Sequence, residues 1–363
     1  MKKTMEIIIE PTSKNTYWLK NILSGIKESA SKYNHRVRFL TAKQLEAKNE
    51  YLTVIGTDLN WIEETTERAT KLGLKPVIVN ASKTLLKKYN CSGVLFELYS
   101  AVENCVKYLL SLSKNKITLV GVNKDSASDT EKVNAFLSIA DKFQNVEFNV
   151  EYRTGNFTDC LTGYLDKLDR NGNECALCVN DTTAINLIGL CLEKGFILPR
   201  DLFVIGMGNS FLGKELSMPL TTVNFDYFEL GKSAVFLYHT LIKSPVNCAV
   251  TLLLPCNLVI RESTANAWFN PGFSSDALCQ KRISTAPDFN DEMCVRKIES
   301  VMQETDDVGR DIIVLLAKGL SSSEIAEKLF FTERGIRYRV KDIASKLGCN
   351  TKEDLVKLLR KVL

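Results

Sequence analysis

Seven side chains near the carboxyl terminus could do chemistry together: Arg334, Arg337, Tyr338, Arg339, Lys341, Ser345 and Lys346, opposed locally only by Glu333 and Asp342. Guanidinium and ammonium groups at this density can donate to guanine edges and neutralise phosphates, so the chemistry is recognition of a polyanion rather than bond making. The same stretch carries Ile336, Val340, Ile343 and Leu347 at spacings of four, three and four. At about 100° per residue these four form one buried stripe. Arg334, Tyr338, Lys341 and Ser345 then lie on the opposite face, with Arg337 on one flank and Arg339 and Lys346 on the other. Taken alone, the pattern also suits a solvated basic helix packed on a bundle.

The elements that must position this helix are legible on both sides of it. Thr332 is a good N-cap. Before it, Ser321 with Glu324 three residues on forms a capping box, and Leu329-Phe330-Phe331 makes a tight apolar turn. A helix upstream, from Arg310, is stopped by Gly319, and Gly348 stops the basic helix. Thr351 with Asp354 opens a fourth helix bearing Leu355, Leu358 and Leu359. The order of these pieces resembles the LuxR-type helix-turn-helix domain, the matching segments being LLAKGLSSSEIAEKLFFTERGIRYRV and SKLG. The resemblance implies a small all-α four-helix domain over 305–363, in which the helix from Thr332 reads the major groove of double-stranded DNA and the last helix makes a dimer contact. Gly335 stands where a threonine is usual, Tyr338-Arg339 where Asn-His is usual, and Gly309 where an acidic residue precedes Arg310. These departures bear on the target sequence.

With 363 residues the chain suits two or three domains, and 45% hydrophobic content is ample for a core. The net charge of +4 is too small to imply nucleic acid by itself; its concentration in one helix is what counts. Eleven cysteines fall without a regular framework, several inside apolar runs, which fits a reducing cytosol. Cys175-Ala-Leu-Cys178 has the spacing of half a zinc site or a redox pair, but the chain has only His35 and His239 and no second such pair, so it reads as small apolar residues in a buried strand. No cofactor or metal is expected. The amino terminus is not a convincing signal peptide and no run approaches the ~20 apolar residues of a membrane span, so the reading is cytoplasmic, with no membrane partner.

From Met5 to Thr264, short apolar runs alternate with longer amphipathic ones, which argues for an α/β fold of parallel sheets covered by helices. The pattern restarts at Lys116, giving two units of comparable size. Open α/β sheets bind ligands beyond the carboxyl ends of their strands, which nominates the loops after Glu10, Gly121, Val179 and Gly206. The stretch CVNDTTAINLIGLCLEKGFILPRDLFVIGMGNSFLGKELSMPLTTVNFDYFELGKSAVFLYHTLI, closing with LVIREST, resembles the LacI/GalR-type, periplasmic-binding-protein-like sensor domain. The resemblance covers 1–264 and implies a two-lobed sensor: lobe 1 at about 1–122 and 224–247, lobe 2 at about 123–223 and 248–264, with crossings near Val122-Asn123, Val223-Asn224 and Ser244 to Thr251. A ligand in the interlobe cleft would close the lobes. Tyr17 and Trp18 would stack on a sugar or base, although Trp18 equally suits packing under its helix. Lys132 matches a position where an arginine grips the ligand, Asn180 would donate to hydroxyls, and Asp181 would cap its helix. Asp226, after the Thr221-Thr222-Val223 crossing, is another candidate at the cleft edge. The family's aspartate after the glycine-aromatic pair is replaced by Gly208, which moves its task to Asn209 and makes an anionic or phosphorylated ligand conceivable.

Residues 265–304 read as linker and connector: Ala265 to Asn290 has no steady period, with Trp268, Phe269 and Phe273 as candidates to dock on the sensor, and Asp291 to Glu304 has helical spacing at Met293, Val295, Ile298, Val301 and Met302. That helix is either a connector or dimer contact, or a short helix on its own domain. No nucleotide loop, nucleophile elbow or metal-protease motif occurs, so no enzyme is expected; Asp58 after a strand suits a receiver-type phosphoacceptor poorly in a chain of two lobes. The expectation is a ligand-responsive transcription regulator, acting as a homodimer on operator DNA under a small-molecule effector. The alternatives are a regulator whose sensor is a ligand-free dimerisation or docking scaffold, and a solute-binding protein.

Overall fold

A computed structural model describes residues 3–13, 16–46, 49–170, 173–244, 248–265 and 292–363. The chain divides into two compact units, one formed by Met1–Tyr108, Val122–Tyr152 and Asn224–Leu258, the other by Leu109–Gly121, Arg153–Val223 and Val259–Leu363. Each unit is assembled from three separate stretches of chain.

The first sheet consists of β1 (Thr4–Ile9), β2 (Arg36–Leu40), β3 (Tyr51–Ile55), β4 (Lys75–Val79), β5 (Ser92–Phe96) and β11 (Thr251–Leu254), in the order β11-β5-β4-β3-β1-β2. Strand β1 pairs in parallel with both neighbours, Glu6 facing Arg38 on one side and Leu52 on the other. The central strands β3 and β5 are buried at every position, as near-continuous apolar runs covered on both faces should be. The edge strand β2 is largely exposed. Helices α1 (Tyr17–Lys32), α2 (Leu59–Lys71), α3 (Lys83–Tyr89) and α4 (Leu98–Ser111) follow β1, β3, β4 and β5, while α5 (Ala127–Ala140) follows the first strand of the second sheet. Helix α3 is not visible in the sequence reading; it is two turns long, capped by Ser82 and closed by Asn90 in the left-handed conformation.

The second sheet contains β6 (Lys116–Val122), β7 (Glu147–Tyr152), β8 (Glu174–Cys178), β9 (Phe203–Met207), β10 (Thr221–Asn224) and β12 (Asn257–Val259), in the order β12-β10-β9-β8-β6-β7. Its helices include α6 (Phe157–Leu165), α7 (Asp181–Glu193) and the five-residue α8 (Phe211–Glu215), also too short to show a period in sequence. Cys175 and Cys178 lie fully inside β8, where burial pushes the Cys175 thiol up to about 12.

In the first unit, α1 packs closely along α9 (Tyr227–Lys243). A Cβ on Gly25 would stand 2.0 Å from the Phe228 carbonyl oxygen, and one on Gly231 would stand 2.1 Å from the Ile22 carbonyl oxygen. Neither position has room for a side chain, so the two glycines set the distance between the helices.

The second unit also contains the carboxyl-terminal helices: α10 (Glu292–Glu304), α11 (Asp307–Ala317), α12 (Ser322–Leu329), α13 (Glu333–Leu347) and α14 (Lys352–Arg360). Helix α10 packs on α7 and α8 and also meets α11 and α13. Its buried face is Val295, Ile298, Val301 and Met302, and Met293 is exposed. One continuous apolar cluster therefore runs from Leu187 and Ile188 through Ile298 to Ile312, Ile336 and Leu355. The stretch from Ala265 to Asn290, with Trp268, Phe269 and Phe273, lies outside the described residues except for Ala265, and so do 245–247 of the third crossing.

Gly25→Ala or Gly231→Ala is expected to destabilise the first unit by about 1–3 kcal/mol through overpacking of two backbones. Urea unfolding followed by circular dichroism measures the loss.

Candidate functional site

Helix α13 opens as its sequence dictates. The Thr332 hydroxyl accepts the Gly335 N–H at 3.2 Å, and the helix closes at Gly348 in the left-handed conformation. Ile336, Val340, Ile343, Ala344 and Leu347 are buried beneath it. That burial leaves Arg334, Arg337, Tyr338, Lys341, Ser345 and Lys346 exposed, Tyr338 at 77%. Arg334 and Lys341 form no ion pair among the described residues. Arg337 pairs with Glu333 and Lys346 with Asp342, each at 2.7 Å and one turn apart. Such exposed pairs are worth little and yield readily to a phosphate. Arg339 is different. It is half-buried, and its Nη1 donates to both oxygens of Asp306, the N-cap of α11, at 2.7 and 2.9 Å. The guanidinium holds the Asp306 carboxyl below its ordinary range. Arg339 thus ties the cationic helix to the start of α11.

Helix α12 begins with the capping box read from the sequence, Ser321 and Glu324 exchanging backbone and side-chain hydrogen bonds at 2.7 and 3.2 Å. Its turn to α13 places Phe330 in the left-handed region at φ 58° with its ring 97% exposed. Between the starts of α12 and α14 and the flank of α13 lies a groove of about 430 Å³, lined among others by Ser322, Glu333, Arg337, Lys341, Thr351 and Lys352. Three cations against the one carboxylate, Glu333, together with two helix starts at its rim, suit a phosphate backbone. Lys352 is a member the sequence reading missed, although its place next to the Thr351 cap signals it.

The effector candidates fall into two groups. In the first unit, Tyr17 and Trp18 are half-buried and meet Tyr227, the Tyr17 ring edge-on at 5.9 Å and the Trp18 ring tilted at 6.4 Å. Tyr227 continues onto Phe96, which stacks on Phe225 at 4.8 Å. Asp226 is exposed and caps α9 by accepting the Glu229 N–H at 2.9 Å. The run Phe225-Asp226-Tyr227 carries two aromatics of this cluster; only its carboxylate stands out in sequence. Lys132 is buried and pairs with Asp129 at 2.8 Å, so its charge is already matched. At the end of β1, Glu10 accepts the N–H groups of Thr57 and Asp58 at 2.6 and 3.1 Å. Burial acts to raise that carboxyl, but these bonds and one from Thr12 outweigh it and hold it below its usual range. Asp58 accepts the Trp61 N–H at 2.7 Å and is an ordinary helix cap.

In the second unit, the helix cap expected of Asp181 falls to Asn180. Asn180 caps α7, accepting from the backbone and hydroxyl of Thr183 at 2.8 and 3.0 Å. Asp181 is buried and accepts from the Ser210 N–H and the Thr222 hydroxyl, both at 2.6 Å. Burial pushes its carboxyl up, against those two bonds. Gly206 makes the approach possible, since a Cβ there would stand 2.3 Å from the carboxylate. Asn209, at φ 53°, donates its N–H to the Thr222 hydroxyl at 3.2 Å and accepts from Arg261 at 2.6 Å. Arg261 also donates to the Leu220 carbonyl at 2.6 Å. It stands within LVIREST, yet nothing in that string shows that it holds the loop after β9.

Among the described residues no cluster suited to a metal ion occurs, and no helix is long and apolar enough to cross a membrane.

Residues 106–264 match the family model of the periplasmic binding protein-like domain, and residues 309–359 match that of the bacterial regulatory proteins of the luxR family. The HTH-type transcriptional repressor PurR of Vibrio vulnificus is 29% identical over 162 residues, 43% of this chain and 48% of that protein. The ribose operon repressor of Haemophilus influenzae is 36% identical over 86 residues, 24% of this chain and 26% of that protein. The chain thus spans about half, or less, of the length of the curated relatives it matches. Among solved structures, the transcriptional regulator CelR in complex with cellobiose superposes with a TM-score of 0.60 at 15% identity, covering 72% of this chain and 84% of that one. The Lac repressor dimer bound to operator and an anti-inducer superposes with a TM-score of 0.59 at 16% identity, covering 73% and 95%. At those identities the likeness is one of fold. The chain carries a periplasmic-binding-protein-like sensor domain fused to a carboxyl-terminal helix-turn-helix domain of the LuxR family.

Proposed function

We propose that this protein is a ligand-responsive transcription regulator that binds operator DNA as a homodimer through α13, under the control of a small effector held at the carboxyl edges of the sensor strands. The observation that carries the reading is the exposed cationic face of α13, with Arg334 and Lys341 in no ion pair among the described residues, beside a groove lined by the first residues of α12 and α14. Arg334, Tyr338, Lys341 and Ser345 are the candidates to reach base edges; Arg337, Lys346 and Lys352 suit phosphates. Arg339 acts chiefly by fixing α13 to α11. A dimer would present two such helices to two half-sites, and an effector would act by changing the spacing or freedom of the pair.

For the effector, the charge distribution favours a neutral polyhydroxylated molecule or nucleoside over a phosphate ester. The Lys132 ammonium is matched by Asp129, and Arg261 is occupied by Asn209 and Leu220. Tyr17, Trp18, Asp226 and Tyr227 offer aromatic faces with an exposed carboxylate beside them, and Asn180, Asp181 and Asn209 frame the second group.

The test begins with the full chain and a random duplex library. Retained fragments sharing a motif would support the reading; no retention at low salt would end it. On a retained duplex, Lys341→Ala or Arg334→Ala is expected to weaken binding by about 1–3 kcal/mol if the side chain reads a base, measured by fluorescence anisotropy. Lys352→Ala is expected to weaken binding equally on all sequences and to lower the salt slope by about one.

A thermal-shift series with sugars, nucleosides and their phosphate esters tests the sensor. A rise with a neutral member and none with its ester is expected. The opposite result would mean that Lys132 leaves Asp129 to grip the anion, and no rise with any probe would favour a sensor that serves as a docking scaffold.

A further inference from the structure

The loop 208–213 runs from β9 into α8 and is held from two sides. On one side stand Asp181, Thr222 and Arg261, which fix Asn209 and Ser210 as described. On the other side stands Glu299, a carboxylate on α10 that is 8% exposed. Its two oxygens accept the N–H groups of Phe211 and Leu212, the first two residues of α8, at 3.0 and 2.7 Å. Gln303, one turn along α10, also donates to it. The next side chain of the loop repeats the connection. The Phe211 ring lies under the Arg310 guanidinium at 4.4 Å, and Arg310 donates to the carbonyls of Met302 and Thr305 at 3.0 and 2.6 Å, across the junction of α10 and α11. From that junction Asp306 holds Arg339 of α13.

A buried carboxylate is costly unless donors meet it. Two of the three donors here are the backbone groups of Phe211 and Leu212, which can be supplied only while α8 and the loop before it keep their present conformation; the third is the Gln303 side chain. Charge-assisted bonds of this kind are the stronger class. A carboxylate facing the sensor from the connector serves no apolar packing purpose, and Glu299 is flanked on its own face by Ile298 and Met302, which do. The contact makes the position of α10 conditional on the conformation of 208–213, the loop that carries Asn209.

We propose that Glu299 is a positioning residue that couples the loop 208–213 to the helix-turn-helix, so that an effector engaging Asn209 resets α10 and, through Arg310 and Asp306, the presentation of α13. This rests on the regulatory reading above, and the experiment separates the two.

In the full chain, Asn209→Ala disturbs the loop, Glu299→Gln removes the charge of the latch, and the double variant closes the cycle. Affinity for a duplex recovered by the wild-type chain and backbone hydrogen exchange are read on all four proteins. Asn209→Ala is expected to change duplex affinity by about fivefold or more, and this effect is expected to vanish in the Glu299→Gln background. Effects that simply multiply would overturn the proposal. Glu299→Gln is also expected to speed exchange by about tenfold in 208–216 and 292–304 together; acceleration confined to 292–304, or none, would overturn it. If the wild-type chain retains no duplex, the regulatory reading fails and the exchange data alone decide the latch. If Glu299→Gln loses its cooperative unfolding, Glu299→Asp takes its place, keeping the charge but drawing the carboxylate back by one methylene, with the same two outcomes.

Discussion

Burying a carboxylate that forms no direct ion pair among the described residues is the constraint on which the second unit depends. Asp181 and Glu299 are both enclosed, and burial pushes both carboxyls up. Each is tolerated because it collects hydrogen bonds, Asp181 from Ser210 and Thr222, Glu299 from Phe211, Leu212 and Gln303. The backbone donors on both sides come from one short stretch, Ser210–Leu212. A stretch of chain that must satisfy two buried charges at once has few conformations open to it, since losing either set of bonds leaves an uncompensated group in a poor solvent for ions. The left-handed Asn209 and the absent Cβ at Gly206 are local conditions for that arrangement.

The helix-turn-helix is held by a different balance. Its core is apolar and continuous with that of the sensor portion of the same unit. Its cationic surface is only partly neutralised, by pairs one helical turn apart that cost little to open. Arg339 is the exception, because Asp306 both caps α11 and accepts its guanidinium. One carboxylate therefore serves helix termination and helix docking together. A family position that usually carries an acidic residue is Gly309 here, and a Cβ at that place would collide with the Thr305 side chain at 1.8 Å. The negative charge stands three residues earlier in the chain, at the cap.

The sequence made most elements legible because strands with β-branched apolar runs and helices with clear caps announce themselves locally. The capping box at Ser321, the Thr332 and Thr351 caps and the Gly348 stop all lie where local chemistry puts them. Helices α3 and α8 were not legible, since two turns or fewer carry no period. The roles of single polar residues were legible least. Asn180 and Asp181 are adjacent and chemically alike, and which of them caps the helix is decided by Thr222 and Ser210, distant in sequence. Lys132 reads as a gripping cation until Asp129, three residues away, is seen to face it on the same helix. Nothing in its local sequence sets Glu299 apart from the other acidic residues of the connector; its partners lie in a loop 87 and 88 residues earlier.

The close approach of α1 and α9 at Gly25 and Gly231 carries a consequence for how the molecule is made. These helices start at Tyr17 and Tyr227, and β11, which completes the first sheet against β5, starts at Thr251. During translation the first hundred residues therefore leave the ribosome with one flank of their sheet uncovered, and they stay so until the polypeptide has grown past Leu254. The apolar face of α1 that meets α9 has no native cover until the chain has grown past Lys243, an interval in which such a surface is open to association with other nascent chains.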